Sequence, residues 1–371
     1  MLRAKAAAAY CRLPFLFRPE FIMDENGYGK YCIIGVYKKD FKGIQSLRGG
    51  NGMWETRLTD LLGIKLPIIQ GGLAYLAYSD LAAAVSNAGG LGQITALSLG
   101  SPEELAEEID KVRILTDKPV GVNFAIGTHG RHYERFVQIA VDKGIEAMSV
   151  TGGNPAAFLN MLKGTSVKKL VLTAGVRQAV KAEELGADAV MVVGNEGGGH
   201  LGRDELSTMV LVPKVVDAVS IPVVASGGIA DGRGMMAALA LGAEGIEMGT
   251  RFIAVKECVH AHPAYKEAII HGTEKDTVVI KKTLGTPGRA ISNAHTASIL
   301  SMESKSCTYE DLKDYISGET NKKFIYEGNH EAGFGWAGQA IGLISDEPTV
   351  EELFDQMLSQ AKVIRTRWQY S

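Results

Sequence analysis

Residues 221–250 read IPVVASGGIADGRGMMAALALGAEGIEMGT and contain one complete strand–helix–strand unit. PVVASG (222–227) is a short β-branched run typical of a buried strand, and GRGMMAALALG (232–242) has an amphipathic helical pattern that ends in glycine. GIEMGT (245–250) begins a second apolar run. This order predicts two parallel strands joined by a helical crossover.

The same unit recurs from residue 64 onward. Strand-like runs alternate with helical stretches at IKLPIIQ (64–70), LGQIT (91–95), PVGVNFA (119–125), AMSVTG (147–152), KLVLTA (169–174), AVMVVG (189–194), PVVASG (222–227) and GIEMGT (245–250). Eight β/α units match a TIM (β/α)8 barrel better than a doubly wound sheet, because the first strand ends in QGGLAYLAY and not in GxGxxG. We therefore predict an α/β fold with a barrel over residues 53–255.

The regular alternation stops after residue 255. Helical patterns follow at HPAYKEAII, YEDLKDYIS and TVEELFDQMLSQAKVIRTRW, with less regular sequence between them. These patterns predict a smaller, mostly helical cap over residues 256–371, folded over the mouth of the barrel.

The first 52 residues differ in charge from the remainder. They carry nine Lys and Arg against four Asp and Glu, a balance of +5, while the whole chain has a net charge of −3, so the remaining residues carry −8. Amphipathic order begins at Met53, directly after LRGGNG, whose codons could spell a purine-rich ribosome-binding sequence. One hypothesis is that Met53 is the native start and that residues 1–52 are a translated leader. The alternative is a short disordered or strand-adding extension.

Composition excludes several classes of protein. The chain of 371 residues is 46% hydrophobic and 22% charged, which is typical of a soluble globular protein. The net charge of −3, without a basic stripe, argues against a nucleic-acid partner. The sequence has no apolar run of the roughly 18 residues that span a bilayer. The four cysteines form no CxxC pair, so we predict a reducing, cytoplasmic location and neither a disulfide framework nor a metal site.

Glycines follow the last two predicted strands, at SGG (226–228) and GTR (249–251). In a barrel of this type the functional face is the C-terminal end of the strands, and phosphate groups are commonly held by the loops after strands seven and eight. An oxyanion needs several converging N–H donors, and glycine lets the backbone approach closely enough to supply them. Ser226 and Thr250 would add hydroxyl donors, and Arg251 would add positive charge.

Several stretches together resemble the FMN-dependent nitronate monooxygenase family, formerly called 2-nitropropane dioxygenases. They are PIIQGGLA (67–74), AAAVSNAGGLG (82–92), TDKPVGVN (116–123), GADAVMVVGNEGGGHLG (186–202), IPVVASGGIADGRG (221–234), LGAEGIEMGTRFIAVKE (241–257) and the tail motif WAGQAIGLISDEPTVEEL. The resemblance covers roughly residues 53–365. The same scaffold also carries flavin-dependent enoyl-acyl-carrier-protein reductases and NAD(P)H:quinone reductases.

The resemblance implies a non-covalently bound FMN and assigns residues to it. It implies that Ser226, Gly227, Gly228, Gly249 and Thr250 hold the phosphate, that Gly71, Gly72 and Asn123 approach the isoalloxazine, that Glu196 and Gly199 complete the cofactor site, and that His200 is catalytic. Where relatives often read EAGGH or ECAGH, this chain reads EGGGH. We expect the additional glycine, Gly197, to loosen the turn that holds His200.

A chemical argument agrees with this assignment. A nitroalkane has an acidic C–H, and a histidine with a pKa near neutrality is suited to take that proton or to stabilise the resulting nitronate. A flavin can accept electrons from the nitronate and pass them to O₂. We therefore predict oxidation of alkyl nitronates with O₂ to carbonyl compounds and nitrite, with a homodimer left open.

Three alternatives stay open at this point. The first is an NAD(P)H-dependent flavin reductase that acts on a quinone or an enoyl thioester. The second is a flavin- or phosphate-binding regulatory protein without catalysis. The third concerns His200 alone, which could be a turn histidine that caps a neighbouring backbone group.

Overall fold

The computed structural model describes residues 54–127, 132–305 and 307–368, together with the backbone of two strands near the N-terminus. The chain divides into two compact units, Met1–Arg48 and Gly49–Ser371. In the first unit, β1 (Arg18–Met23) and β2 (Gly29–Ile34) pair with each other as an antiparallel hairpin. Met53, the hypothetical start of the native chain, lies outside the described residues.

The second unit is built on eight parallel strands. They are β3 (Ile68–Gln70), β4 (Gly92–Thr95), β5 (Val120–Ala125), β6 (Ala147–Thr151), β7 (Lys168–Thr173), β8 (Ala189–Val193), β10 (Val223–Ser226) and β11 (Gly245–Met248), with the short strand β9 (Gly199–His200) lying outside this sheet. The order β3-β11-β10-β8-β7-β6-β5-β4 closes through a parallel bridge between Ile69 and Leu91. The predicted TIM barrel is confirmed.

Helices alternate with these strands along the chain and surround them. They are α1 (Arg57–Leu62), α2 (Ser79–Asn87), α3 (Pro102–Leu115), α4 (Glu134–Asp142), α5 (Ala156–Met161), α6 (Val176–Glu184), α7 (Thr208–Val216) and α8 (Gly232–Ala240). Local signals explain where they begin. The Ser101 hydroxyl accepts a hydrogen bond from the Glu104 N–H, and the Asp231 carboxylate accepts from Arg233 and Gly234, so both residues cap helices.

The C-terminal region contains both helices and strands. Its helices are α9 (Thr250–Ile253), α10 (Pro263–Ile270), α11 (Ala294–Glu303), α12 (Tyr309–Leu312), α13 (Gly318–Ile325) and α14 (Val350–Trp368), with a 3₁₀ turn at Gln339–Leu343. The sequence pattern did not predict the antiparallel pair β12 (Thr277–Ile280) and β13 (Gly288–Ile291). β13 also pairs with β9, so this small sheet reaches into the loop after β8.

The last helix packs against the outside of the barrel. The Gly232 N–H donates to the Gln360 side chain, and a side chain at Gly232 would collide with the Met357 carbonyl, so α14 and α8 are in close contact. α14 also contacts α2 and shares a hydrophobic core with strands β3 and β11. This helix therefore occupies the position of an eighth barrel helix, because α9 after β11 has only four residues. The domain boundary at residue 255 stays a prediction.

None of the helices in the described part of the chain is both long enough and apolar enough to cross a bilayer.

Candidate active site

The loops after β10 and β11 lie side by side at the C-terminal end of the barrel. Their strands are hydrogen-bonded neighbours, with Ser226 opposite Glu247. Gly227 and Gly228 have φ angles of 90° and 76°, a conformation that favours glycine. A Cβ at Gly227 would lie 3.1 Å from the backbone of the loop after β8, at the Gly194 oxygen, so the backbones pack closely.

The loop after β11 begins the short helix α9. The Thr250 hydroxyl oxygen accepts a hydrogen bond from the Gly338 N–H at 2.9 Å, and Gly249 precedes it at the N-cap. The expectation for Arg251 is wrong. Its guanidinium is buried and pairs with the Asp346 carboxylate at 2.9 Å, and it also donates to the carbonyls of Ala254 and Asp346. Its charge is therefore directed to the C-terminal region and away from a phosphate.

The residues predicted to approach a flavin ring come together where β3 and β5 end. The Gly71 N–H donates to the Met248 carbonyl at 2.9 Å, which ties this loop to β11. A side chain at Gly72 would collide with the Asn123 carboxamide, so the two residues are in direct contact. Asn123 is 2% exposed, and its Nδ2 donates to the Ser149 hydroxyl at 2.8 Å.

A buried carboxyl group that was not among the predicted site residues lies beside this loop. Glu247 is 7% exposed, and a Cβ at Gly71 would lie 2.6 Å from its Oε1. Burial raises the pKa of the Glu247 carboxyl, and a hydrogen bond from the Ser226 hydroxyl opposes that change. The signal in the sequence was a charged residue inside the apolar run GIEM.

Glu196 acts as a helix cap. Its carboxylate accepts from the Thr208 N–H at 2.9 Å and from the Thr208 hydroxyl at 3.0 Å, at the first residue of α7. A carboxylate at a helix N-terminus is favoured by the helix dipole. Glu196 and Gly228 also line a cavity of about 270 Å³ that extends to Gln339 and Leu343. The contribution of Glu196 to a cofactor site would therefore be mainly to hold the loop after β8 in place.

The turn before His200 is tightly packed, and the expectation that Gly197 loosens it is wrong. A Cβ at Gly197 would lie 2.6 Å from Val193 Cγ2, and its N–H donates to the Gly194 carbonyl at 3.0 Å. A Cβ at Gly198 would lie 2.6 Å from the Gly338 nitrogen. Gly199 has a φ of 72°, and β9 then pairs with β13. Gly197 and Gly198 are required because neighbouring atoms leave no space for a side chain, whereas Gly199 is favoured by its left-handed φ.

His200 is exposed to solvent over part of its surface, and protein atoms crowd the rest of the residue. Its Nε2 lies 3.3 Å from the Lys281 Nζ, and its ring centroid lies 5.8 Å from that of Trp336. Burial and the charge of Lys281 lower the pKa of His200 to about 4. The expectation of a pKa near neutrality is therefore wrong, and the imidazole is neutral at pH 7.

Lys281, whose side chain contacts His200, was not predicted as part of the site. It is 6% exposed, has a left-handed φ of 63°, and its Nζ lies 5.0 Å from the centroid of the Trp336 ring. Burial lowers the pKa of Lys281 to about 8, although the charge of Glu303 opposes this. The available signal was TVVIKK (277–282), a β-branched run that ends in two lysines.

Comparisons with known proteins cover most of the chain. The family model described as nitronate monooxygenase matches residues 55–129 and 123–360. A probable nitronate monooxygenase of Staphylococcus saprophyticus is 32% identical over 355 residues, covering 84% of this chain and 99% of the relative.

Two solved structures show the same architecture. FabK from Thermotoga maritima is 38% identical with a TM-score of 0.80, covering 85% of this chain and 99% of that one. A nitroalkane oxidase from Streptomyces ansochromogenes is 27% identical with a TM-score of 0.74, covering 84% of this chain and 100% of that one.

Proposed function

The chain belongs to the nitronate monooxygenase family, and from this premise we propose that it is an FMN-dependent oxidoreductase that oxidises alkyl nitronates with O₂ to carbonyl compounds and nitrite. Bound FMN would supply the redox chemistry, accepting two electrons from the nitronate and passing them to O₂. The observation that carries the proposal is the pair of adjacent loops, Ser226–Gly228 and Gly249–Thr250, at the barrel end that also carries His200.

The residues at this end fit a phosphate-bearing cofactor. Two consecutive glycines with positive φ leave backbone N–H groups without a Cβ beside them, which is the arrangement that anion-binding loops use. In the proposed site these residues and Thr250 hold the phosphate. Gly71 and Gly72, which follow β3, and Asn123 of β5 form the ring side of the same mouth.

In this proposal His200 is not a general base that removes a proton from a nitroalkane. A neutral imidazole whose pKa is about 4 is a weak base, so it is poorly suited to remove a proton from carbon at neutral pH. It is suited to a substrate that arrives already deprotonated, as a nitronate. In the proposed mechanism His200 orients the nitronate.

The test combines a spectrum with a steady-state assay. Purified full-length protein is expected to show a flavin absorption spectrum, and to consume O₂ and release nitrite with propionate 3-nitronate. Absence of flavin turnover with any nitronate would remove this proposal.

We predict that His200→Ala lowers kcat/KM for the nitronate by about 100-fold, which is the order of loss expected when the reacting group is no longer held in position. His132→Ala is the matched control, because the His132 side chain is fully exposed. Full turnover in His200→Ala would contradict the assigned role.

A second candidate is an NAD(P)H-dependent reductase that acts on an enoyl thioester or a quinone. The 38% identity to FabK favours it, since this likeness extends over 85% of the chain. Anaerobic mixing with NADH separates the two functions. Rapid bleaching of the flavin, followed by reoxidation with crotonyl thioester or menadione, would favour the reductase.

A further inference from the structure

We infer that Lys281 is a substrate-binding residue, whose ammonium group binds an anionic oxygen of the substrate beside His200. This inference rests on the proposed function, because it names the group that recognises the nitronate. A nitronate carries its negative charge on two oxygens bound to a planar nitrogen. A cationic donor binds such oxygens more strongly than a neutral one, and the neutral His200 does not supply a charge.

The position of Lys281 is fixed by three strands and one helix. Ile280, Gly288 and His200 lie opposite one another across β12, β13 and β9, and Lys281 follows directly. The Lys281 N–H donates to the Glu303 carboxylate at 2.9 Å, at the end of α11. The other Glu303 oxygen accepts from the Thr283 N–H and hydroxyl, at 3.0 and 2.8 Å. This carboxylate therefore holds the left-handed turn in place.

The ammonium group is incompletely partnered. Over the described ranges 54–127, 132–305 and 307–368, its one hydrogen-bond partner is His200 Nε2, and no carboxylate lies within 4.0 Å of Nζ. An ammonium has three N–H donors, so two are left for a ligand. The Trp336 ring adds a cation–π contact, which offsets part of the cost of burial.

Titratable groups around the Lys281 ammonium come from three neighbouring elements. β9 contributes His200, α11 contributes Glu303, and β13 contributes Arg289, whose guanidinium donates to the Asn195 carbonyl at 2.9 Å and to the Thr277 hydroxyl at 3.2 Å. Glu303 is the one anion in this group, and backbone and hydroxyl donors already occupy its oxygens. A small oxyanion bound to Nζ would therefore complete the local charge balance.

A purely structural role does not explain why a cation is buried at position 281. A buried cation with no carboxylate in ion-pair contact costs free energy, and an apolar residue of similar length would pack against Trp336 without that cost. Lys282, the next residue, shows the ordinary arrangement, since it is exposed and pairs with Glu205 at 2.6 Å. The two adjacent lysines thus form a matched pair for experiment.

The experiment measures binding of nitrate to the full-length protein by titration calorimetry. Nitrate is planar, carries one negative charge and has the same number of valence electrons as the nitronate of nitromethane. We expect Lys281→Met to weaken nitrate binding about tenfold or more, which is the range of one charge-assisted hydrogen bond. Lys281→Gln should give the same loss, and Lys282→Met should stay within about twofold of wild type. A thermal melt of each variant verifies folding.

Steady-state kinetics separate this inference from the proposed function. Lys281→Met should raise KM for propionate 3-nitronate more than it lowers kcat. If wild type oxidises nitronates and Lys281→Met keeps both KM and nitrate affinity, the inference is overturned and the function stands. If wild type turns over no nitronate but binds nitrate through Lys281, the function fails and the anion site stands. Equal losses in Lys281→Met and Lys282→Met would also overturn the inference, because they would indicate diffuse charge.

Discussion

His200 and Lys281 are in direct contact, and the charge of Lys281 lowers the basicity of His200. Their nitrogens are 3.3 Å apart, so protonation of both places two positive charges in contact. With pKa values of about 4 and about 8, the pair carries one positive charge between those two pH values, located on Lys281. The Lys281 ammonium then donates to Nε2, which leaves the proton of the neutral ring on Nδ1.

We predict that the His200 ring titrates near pH 4 in wild type, and that Lys281→Met raises this pKa without restoring 6.5. The reason is that the variant removes the charge of Lys281, whereas burial, the larger cause, remains. Because the folded pKa lies below the unfolded one, the stability linked to His200 is complete above pH 6.5 and is lost as the pH falls from 6.5 towards 4.

NMR of the protein labelled at its histidine rings, followed from pH 3.5 to 8, checks this value. The signal of His132, whose side chain is fully exposed, is the reference against which changes in the His200 signal are compared. A His200 pKa that is the same in wild type and Lys281→Met would show that the two groups do not interact.

At the scale of elements, α11 ends in a carboxylate, which is unfavourable at a helix C-terminus. The contacts of this residue with the candidate site explain its position. Glu303 is the last residue of that helix, where the helix dipole disfavours a carboxylate. It is nevertheless 9% exposed and accepts hydrogen bonds from Lys281 and Thr283. We infer that Glu303 is a positioning residue, which joins α11 to the turn after β12.

Glu303→Ala is expected to lower the free energy of unfolding by about 2–4 kcal/mol, because it leaves buried N–H and hydroxyl donors without an acceptor. It should also weaken nitrate binding, since the Lys281 turn loses its anchor. Glu303→Gln, which keeps an acceptor oxygen, should recover part of both losses. Glu310→Ala, which removes an exposed pair with Lys313, should change stability by less than about 0.5 kcal/mol. Urea denaturation measures the stabilities, and unchanged nitrate affinity in Glu303→Ala would contradict the positioning role.

The elements that could be predicted from the sequence have patterns visible among neighbouring residues. The missed elements depend on contacts between residues that are far apart in the chain. The barrel strands are mostly short apolar runs, because both faces of the sheet are covered, and such runs are visible locally. β9 has two residues, and its partner β13 lies almost ninety positions further along the chain, so no local pattern indicates the pair. The same holds for Lys281 and for the low pKa of His200, which depend on burial created by that pairing. The loops after β10 and β11 could be predicted because strand order alone places them together.

For the molecule as a whole, one hydrophobic cluster includes residues on both sides of the predicted boundary at residue 255. This cluster contains Ile68 and Met248 of the barrel together with Ile341, Phe354 and Met357 of the C-terminal region. Unfolding of the chain on one side of residue 255 would therefore expose apolar surface on the other side. A shared core of this kind favours one cooperative unit over residues 49–371.

Phe354→Ala tests this cooperativity from α14. The ring is 2% exposed, lies 6.1 Å from the Phe252 ring, and would be 3.2 Å from a Cβ at Gly90, so it packs against the barrel. Truncation should cost about 3–5 kcal/mol. Val363→Ala, on the same helix and 51% exposed, should cost little. If the core is shared, Phe354→Ala lowers a single calorimetric transition, and hydrogen exchange accelerates equally in β3, β11 and the C-terminal helices. A variant whose C-terminal region melts first, leaving the barrel transition unchanged, would establish the boundary at residue 255 as a true domain border.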